Sequence, residues 1–178
     1  MIDTVWIQLI GFFGVVCILL TFQFNNRKTI LRIQLLSGLL WTIHFALLGA
    51  FTGSALNLLS SLRNYLFEKY RKHSWIFWLV ISAFVIATIL TWKNWTSILP
   101  FIGVMIGTAS MWQKKPQHMR WMFAFVPPFW FAYNALNGSY PGMLGDTIAF
   151  VSVVSGIVRF DVLPKIKNKA SSQVTSEV

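Results

Sequence analysis

The chain has 178 residues but only one cysteine, Cys17, and only five acidic residues against fifteen basic ones. A single thiol excludes an intrachain disulfide, and inside an apolar run it reads as a small packing residue. Charged residues make up 11% of the sequence and hydrophobic ones 56%. A soluble domain of this length would need far more polar surface to cover its core. The first apolar run, Val5 to Phe24, has no Lys or Arg before it and no small-residue cleavage site after it. It therefore reads as a spanning helix and not as a signal peptide. Enzyme signatures are missing too: there is no nucleophile elbow, no paired-His metal motif and no phosphate-cradling Gly-rich loop. His44, His73 and His118 fall at different expected depths, a poor metal set. No catalytic residue, cofactor or metal is expected.

What is present is apolar length. Runs able to cross a bilayer recur along nearly the whole chain, which marks an all-α integral membrane protein. Polar breaks divide it into seven candidate helices at about 4–24, 30–50, 52–71, 74–93, 96–113, 120–138 and 140–160. The third is the least apolar, with Asn57, Ser60, Ser61, Arg63 and Asn64. Residues 161–178 are polar and Lys-rich and are expected as a flexible cytoplasmic tail.

The formal charge of +10 invites a nucleic-acid reading. Its placement argues for a bilayer. Arg27, Lys28 and Arg32 follow the first helix; Arg63, Lys69, Arg71 and Lys72 close the third; Lys114, Lys115 and Arg120 follow the fifth; Arg159, Lys165, Lys167 and Lys169 follow the seventh. Lys93 alone falls on the other side, so fourteen of fifteen basic residues share one face. That face is expected to be cytoplasmic, with the N-terminus outside and the C-terminus inside. The charge then meets anionic headgroups of the inner leaflet. No exposed basic patch with stacking aromatics is evident, so no nucleic-acid partner is expected.

Two stretches share one spacing: "WTIHFALLGAFTGSALN" from Trp41 to Asn57, and "WFAYNALNGSYPGMLGD" from Trp130 to Asp146. Each runs Trp, a ring (His44 or Tyr133), two glycines and a short polar side chain in matched register. Residues 10–64 and 99–153 read as two copies of a three-helix unit, with an indel in the inner loop. Three crossings reverse direction and a fourth restores it, so the copies would be parallel. The expected organisation is a first trio at 1–72, a linker helix at 73–95, a second trio at 96–160 and the tail at 161–178. Transporters are commonly built this way, with substrate near mid-membrane between repeats.

Seven of the nine tryptophans fall near expected membrane surfaces: Trp6, Trp92 and Trp95 outside, Trp75, Trp78, Trp112 and Trp121 inside. Trp41 and Trp130 fall mid-helix, and the repeat pairs them. A repeated indole pair beside repeated polar groups favours a shared cavity over packing alone. His44 and Tyr133 lie one turn on, on the same helix face as each Trp; His44 can bond a neighbouring helix or face a ligand. Gly53, Asn57, Ser60 and Asn64 share one face of the third helix, and Gly142, Asp146, Ala149 and Gly156 one face of the seventh. Gly103 and Gly107 read as packing residues. A carboxylate deep in a bilayer costs roughly 2.5–3.5 kcal/mol on insertion scales, so Asp146 needs a reason. It can pair with Arg63, which is unusually deep for a basic residue, or bind a proton or a cationic group.

Trp and Asn sixteen residues apart within a three-one-three plan resembles the SWEET and SemiSWEET sugar transporters. Over nearly its whole length, through "RIQLLSGLLWTIHFALLGAFTG" and "LPFIGVMIGT", the chain looks still more like the YgjV-type bacterial inner-membrane proteins. The first resemblance implies that Trp41, Asn57, Trp130 and Asp146 surround a solute; their shared helix face puts His44 and Tyr133 at its rim. The sequence departs from the sugar transporters in three ways. Their Pro-Gln pair is here Phe22-Gln23 and Trp112-Gln113; no proline precedes Pro100, while Pro127 and Pro128 interrupt the sixth helix; and Asp146 stands where they have Asn. The PnuC-type vitamin transporters share a similar seven-helix plan. The expected function is transport of a small polar solute, sugar or vitamin-like, by alternating access between two trios, with a homo-oligomer left open. The competing reading is a non-transporting inner-membrane scaffold or lipid- or partner-binding protein whose polar residues only pack helices.

Overall fold

Two glycines set the geometry of one end of the molecule. Gly49 and Gly138 hold φ of 70° and 67°, the left-handed region that costs an L side chain energy. At the first, Gly49 N–H donates to Ala46 O at 3.0 Å and Ala50 N–H to Phe45 O at 2.8 Å. At the second, Gly138 N–H donates to Ala135 O at 3.3 Å and Ser139 N–H to Asn134 O at 2.9 Å. Both are the same helix-closing motif, in which a left-handed glycine satisfies the last carbonyls.

The computed structural model describes residues 4–21, 27–70 and 72–164. Among them every regular element is helical: α1 (Thr4–Thr21), α2 (Arg27–Leu47), α3 (Phe51–Tyr70), α4 (Trp75–Leu90), α5 (Ile98–Trp112), α6 (Pro116–Phe123), α7 (Val126–Leu136) and α8 (Tyr140–Ile157). A 3-10 turn at Trp95–Ser97 precedes α5, and a π turn at Val158–Val162 extends α8. The Gly49 turn joins α2 to α3 and the Gly138 turn joins α7 to α8. α1 packs on α2 and α2 on α3; α5 packs on α7 and α7 on α8; α4 lies against α3 and α5. The two sets meet where α1 touches α8 and α3 touches α5.

The helix bounds differ from those expected at two points. The sixth helix is two pieces, α6 and α7, parted at Ala124 and Phe125. Pro127 and Pro128 have no N–H to return to the carbonyls of Phe123 and Ala124, so the chain restarts with proline in the first turn of α7. The helix expected to end at 160 runs on through the π turn, and Asp161 is buried instead of starting a tail. Residues 165–178, like Phe22, Gln23 and Arg71, lie outside the described residues. By length and composition two described stretches pass as membrane spans, Trp95–Trp112 and Tyr140–Val162; Thr4–Cys17, Leu35–Leu47 and Trp75–Leu90 are shorter apolar helices. The face of α3 that carries Asn57, Ser60 and Arg63 keeps that helix off the count.

The core falls in two clusters. Leu56, Phe67, Ile76, Val80, Phe84 and Val104 join α3, α4 and α5. Val15, Trp41, Phe45, Ala50 and Tyr133 join α1, α2 and α7. The exterior is apolar: Leu90, Ile89, Trp78 and Phe13 are 62–78% exposed. Such a surface suits hydrocarbon and not water. Trp6, Trp75, Trp78, Trp92, Trp95 and Trp121 are all exposed on it. Trp112 differs, packing edge-on against Phe67 with ring centroids 4.9 Å apart.

A Cβ added at Gly138 meets nothing within 4 Å. Gly138→Ala is therefore expected to cost only the left-handed backbone penalty, about 1 kcal/mol, lowering the melting midpoint in detergent by a few degrees. An unchanged midpoint would mean the turn does not need its glycine.

Candidate solute cavity

A cavity of about 660 Å³ lies between the helices, within the size range of small-molecule sites. Trp41 and Phe45 enter it from α2, Asn57, Ser60, Arg63 and Asn64 from α3, Trp130 and Asn134 from α7, and Asp146 from α8. Positions 57, 60 and 64 of α3 recur at helical spacing, so one polar stripe faces the space.

Each indole lies against a glycine of a neighbouring helix. A Cβ on Gly14 would come within 3.0 Å of the Trp41 ring, and one on Gly103 within 2.9 Å of the Trp130 ring. The glycines let α1 and α5 approach closely enough to fix each indole plane. Phe45 stacks on Trp41 at 5.8 Å and lies 6.0 Å from Trp130, linking the two.

His44 and Tyr133 are not at a rim. Both are buried, at 0% and 2% exposure, and neither lines the cavity. They lie one turn beyond the indoles, toward the glycine turns, and each is bonded across the molecule. Tyr133 Oη accepts from Gly53 N–H in the first turn of α3 at 3.1 Å. His44 Nε2 lies 2.8 Å from Ser139 Oγ, and that hydroxyl caps α8 by accepting from Gly142 N–H at 3.2 Å. His44 Nδ1 donates to Ile7 O at 2.8 Å, since a carbonyl can only accept. With Phe45, these side chains form a buried layer that closes the cavity on the side of the glycine turns.

Arg63 and Asp146 both face the cavity but do not pair among the described residues. Asp146 Oδ2 accepts from Asn134 Nδ2 at 2.7 Å. Arg63 donates to Thr108 Oγ1 at 3.1 Å and to Asn64 Oδ1 at 3.0 and 3.2 Å, with its guanidinium 5.8 Å from the centre of the Phe84 ring. Counted from the starts of α8 and α3, Asp146 is about 9 Å and Arg63 about 18 Å along its helix, so their depths differ. Asn57, on the same stripe, donates its side-chain amide to Gly53 O at 3.1 Å.

Asn134 and Arg120 are among the lining residues that the sequence does not single out for the site. Asn134 is 2% exposed and lines the cavity, yet its Oδ1 has no hydrogen-bond partner. It lies one helical turn after Trp130, so the spacing that flagged the indole also places Asn134 on its face. Arg120 lines the opposite end, where its Nε donates to Asp161 Oδ2 at 3.0 Å and its Nη2 bonds the other carboxylate oxygen. Sequence alone had assigned Arg120 to the basic inner connection.

An apolar exterior around a cavity lined by amides, an acid and arginines inverts the pattern of a soluble protein and defines a helical membrane protein. The chain belongs to the Imp-YgjV family of bacterial inner membrane proteins, whose family model matches residues 5–163. No curated protein and no solved structure matches it.

Proposed function

We propose that this protein carries a small polar solute across the inner membrane by alternating access between α1–α2–α3 and α5–α6/α7–α8, with α4 as the linker of a parallel three-one-three repeat. The observation that carries this is the cavity touching both matched indoles together with Asn57 and Asp146. Support for the repeat comes from matched pairs: the two left-handed glycine turns, the two glycine–indole contacts, and the two ring residues that bond to the helix start after the opposite turn. In this reading the glycine turns face outward, the basic end faces the cytoplasm and the chain is multi-pass. The buried layer of His44, Phe45 and Tyr133 then closes the outer side, and the structure is the inward-facing state. The indoles stack on the solute, while Asp146 accepts its hydrogen bonds.

Accessibility tests this without knowing the substrate. In a Cys17→Ser background, Ser60→Cys is expected to react with a membrane-impermeant sulfonated thiosulfonate in inside-out vesicles, and more slowly in right-side-out vesicles. Ile86→Cys, at a position 56% exposed on the apolar exterior, serves as the lipid-facing control and should not react. No reaction at Ser60→Cys from either side would mean a dry interior and favour the scaffold reading.

A further inference from the structure

Arg63 is 6% exposed and, among the described residues, its side chain meets only neutral partners: the Thr108 hydroxyl, the Asn64 amide oxygen and the Phe84 face. The Thr108 hydroxyl is oriented for this task, since its own proton goes to Val104 O at 2.6 Å and its lone pair faces Arg63. Three of the five guanidinium N–H groups are used by these bonds, leaving one on each terminal nitrogen. Arg63 also lines the cavity, beside Gly107, where a Cβ would lie 3.7 Å from Nη1. A buried cation without a counter-charge is costly unless something supplies one. The described carboxylates nearest it do not: Asp146 is bonded to Asn134 and is about 9 Å nearer the glycine turns, and Asp161 is bonded to Arg120.

We propose that Arg63 is an anion site, and that the solute of this cavity carries a carboxylate or phosphate group which the free N–H pair of Arg63 binds. The inference rests on the transport reading for its solute, but narrows the class from polar to anionic. A planar guanidinium offering one N–H from each terminal nitrogen suits a two-oxygen acceptor, which a carboxylate and a phosphate share. The opposite end, with Asp146, accepts hydrogen bonds, so the matching solute also carries a donor group away from its anion. Trp41 and Trp130, eight residues before the glycine turns, lie at about the level of Asp146, and the Trp41 ring adjoins Gly145.

Three probes of one shape and different charge decide this: 4-aminobenzoate, 4-aminobenzamide and 4-aminobenzylamine, titrated calorimetrically into the full chain in neutral detergent micelles. The benzoate is expected to bind at least tenfold more tightly than the amide, and the amine most weakly. Arg63→Gln should remove that tenfold preference by weakening the benzoate far more than the amide, whose retained binding also reports that the variant is folded. Should Arg63→Gln not fold, Arg63→Lys decides: a several-fold weaker benzoate affinity with the amide unaffected supports the site, and an unaffected benzoate affinity overturns it. Equal or tighter binding of the amide or the amine overturns the anion site while leaving the transport reading standing. Binding of none of the three at millimolar concentration also overturns it, and labelling of Ser60→Cys then judges the transport reading separately. Phosphatidylglycerol added to the micelles should not displace the benzoate; displacement would assign Arg63 to a lipid headgroup and overturn the solute claim.

Discussion

Gly53→Ala is expected to destabilise the protein by about 2–4 kcal/mol, several times the effect of Gly138→Ala. An added Cβ at Gly53 would lie 2.6 Å from Tyr133 Cε1 and 3.1 Å from its Oη. Aromatic ring atoms are not the free end of a flexible chain, and this ring has nowhere to go. Tyr133 is 2% exposed and wedged against Phe45 and Trp130, each with ring centroids 6.0 Å away. Moving it also breaks the bond from Gly53 N–H to Oη at 3.1 Å. Overpacking contributes about 1–3 kcal/mol and the stranded N–H about 1 more. Melting in detergent checks this directly. A Gly53→Ala midpoint no lower than that of Gly138→Ala would show that α3 and α7 are not in contact there.

The contrast between these two glycines shows what a sequence reveals. The matched spacing from Trp41 to Asn57 and from Trp130 to Asp146 marked Gly49 with Gly138 and Gly53 with Gly142 as equivalent, without saying what each does. Gly49 and Gly138 work locally, through backbone sign, and a turn glycine after a helix is readable from a single chain. Gly53 works through Tyr133, far away in sequence, and only packing reveals it. His44 and Tyr133 were expected at a solute rim because they share a face with the indoles. The structure places them a turn farther out, where the polar atom of each is taken up by the start of another helix. Helix periodicity fixes direction around the axis but not which neighbour lies opposite.

Arg63 and Asp146 illustrate the same limit for charge. As the deepest base and the lone mid-helix acid of the sequence, they were natural candidates for a pair. Helix rise puts them about 9 Å apart in depth when α3 and α8 begin at the same level, and that level is set by the Gly49 and Gly138 turns. The acid instead takes an amide from Asn134 and the base a hydroxyl from Thr108. Neither neutral partner carried a sequence signal strong enough to compete with opposite charge. The two ionisable groups face a mostly apolar cavity at separate depths, each bonded to a neutral neighbour and not to the other.

Tyr133→Phe is expected to raise outside labelling of Ser60→Cys roughly fivefold to a hundredfold, with labelling from the cytoplasmic side reduced. The change keeps the ring and its contacts with Phe45 and Trp130 but removes the one acceptor that Gly53 N–H has across the α3–α7 contact. In this structure that donor is then buried with no replacement, at a cost of about 1–3 kcal/mol. Under the alternating access proposed above, an outward-facing state would separate α3 from α7 at this level and let water reach the same N–H, so it would not bear that cost. A free-energy difference acting on one of two states shifts their ratio tenfold per 1.4 kcal/mol, which gives the stated range. His44→Phe removes the matching link to Ser139 and Ile7 and is expected to shift labelling in the same direction. The two ring residues would then be the two halves of one outer latch. A scaffold with a fixed interior gives a different result: both variants lower the melting midpoint, and labelling from either side stays as it was.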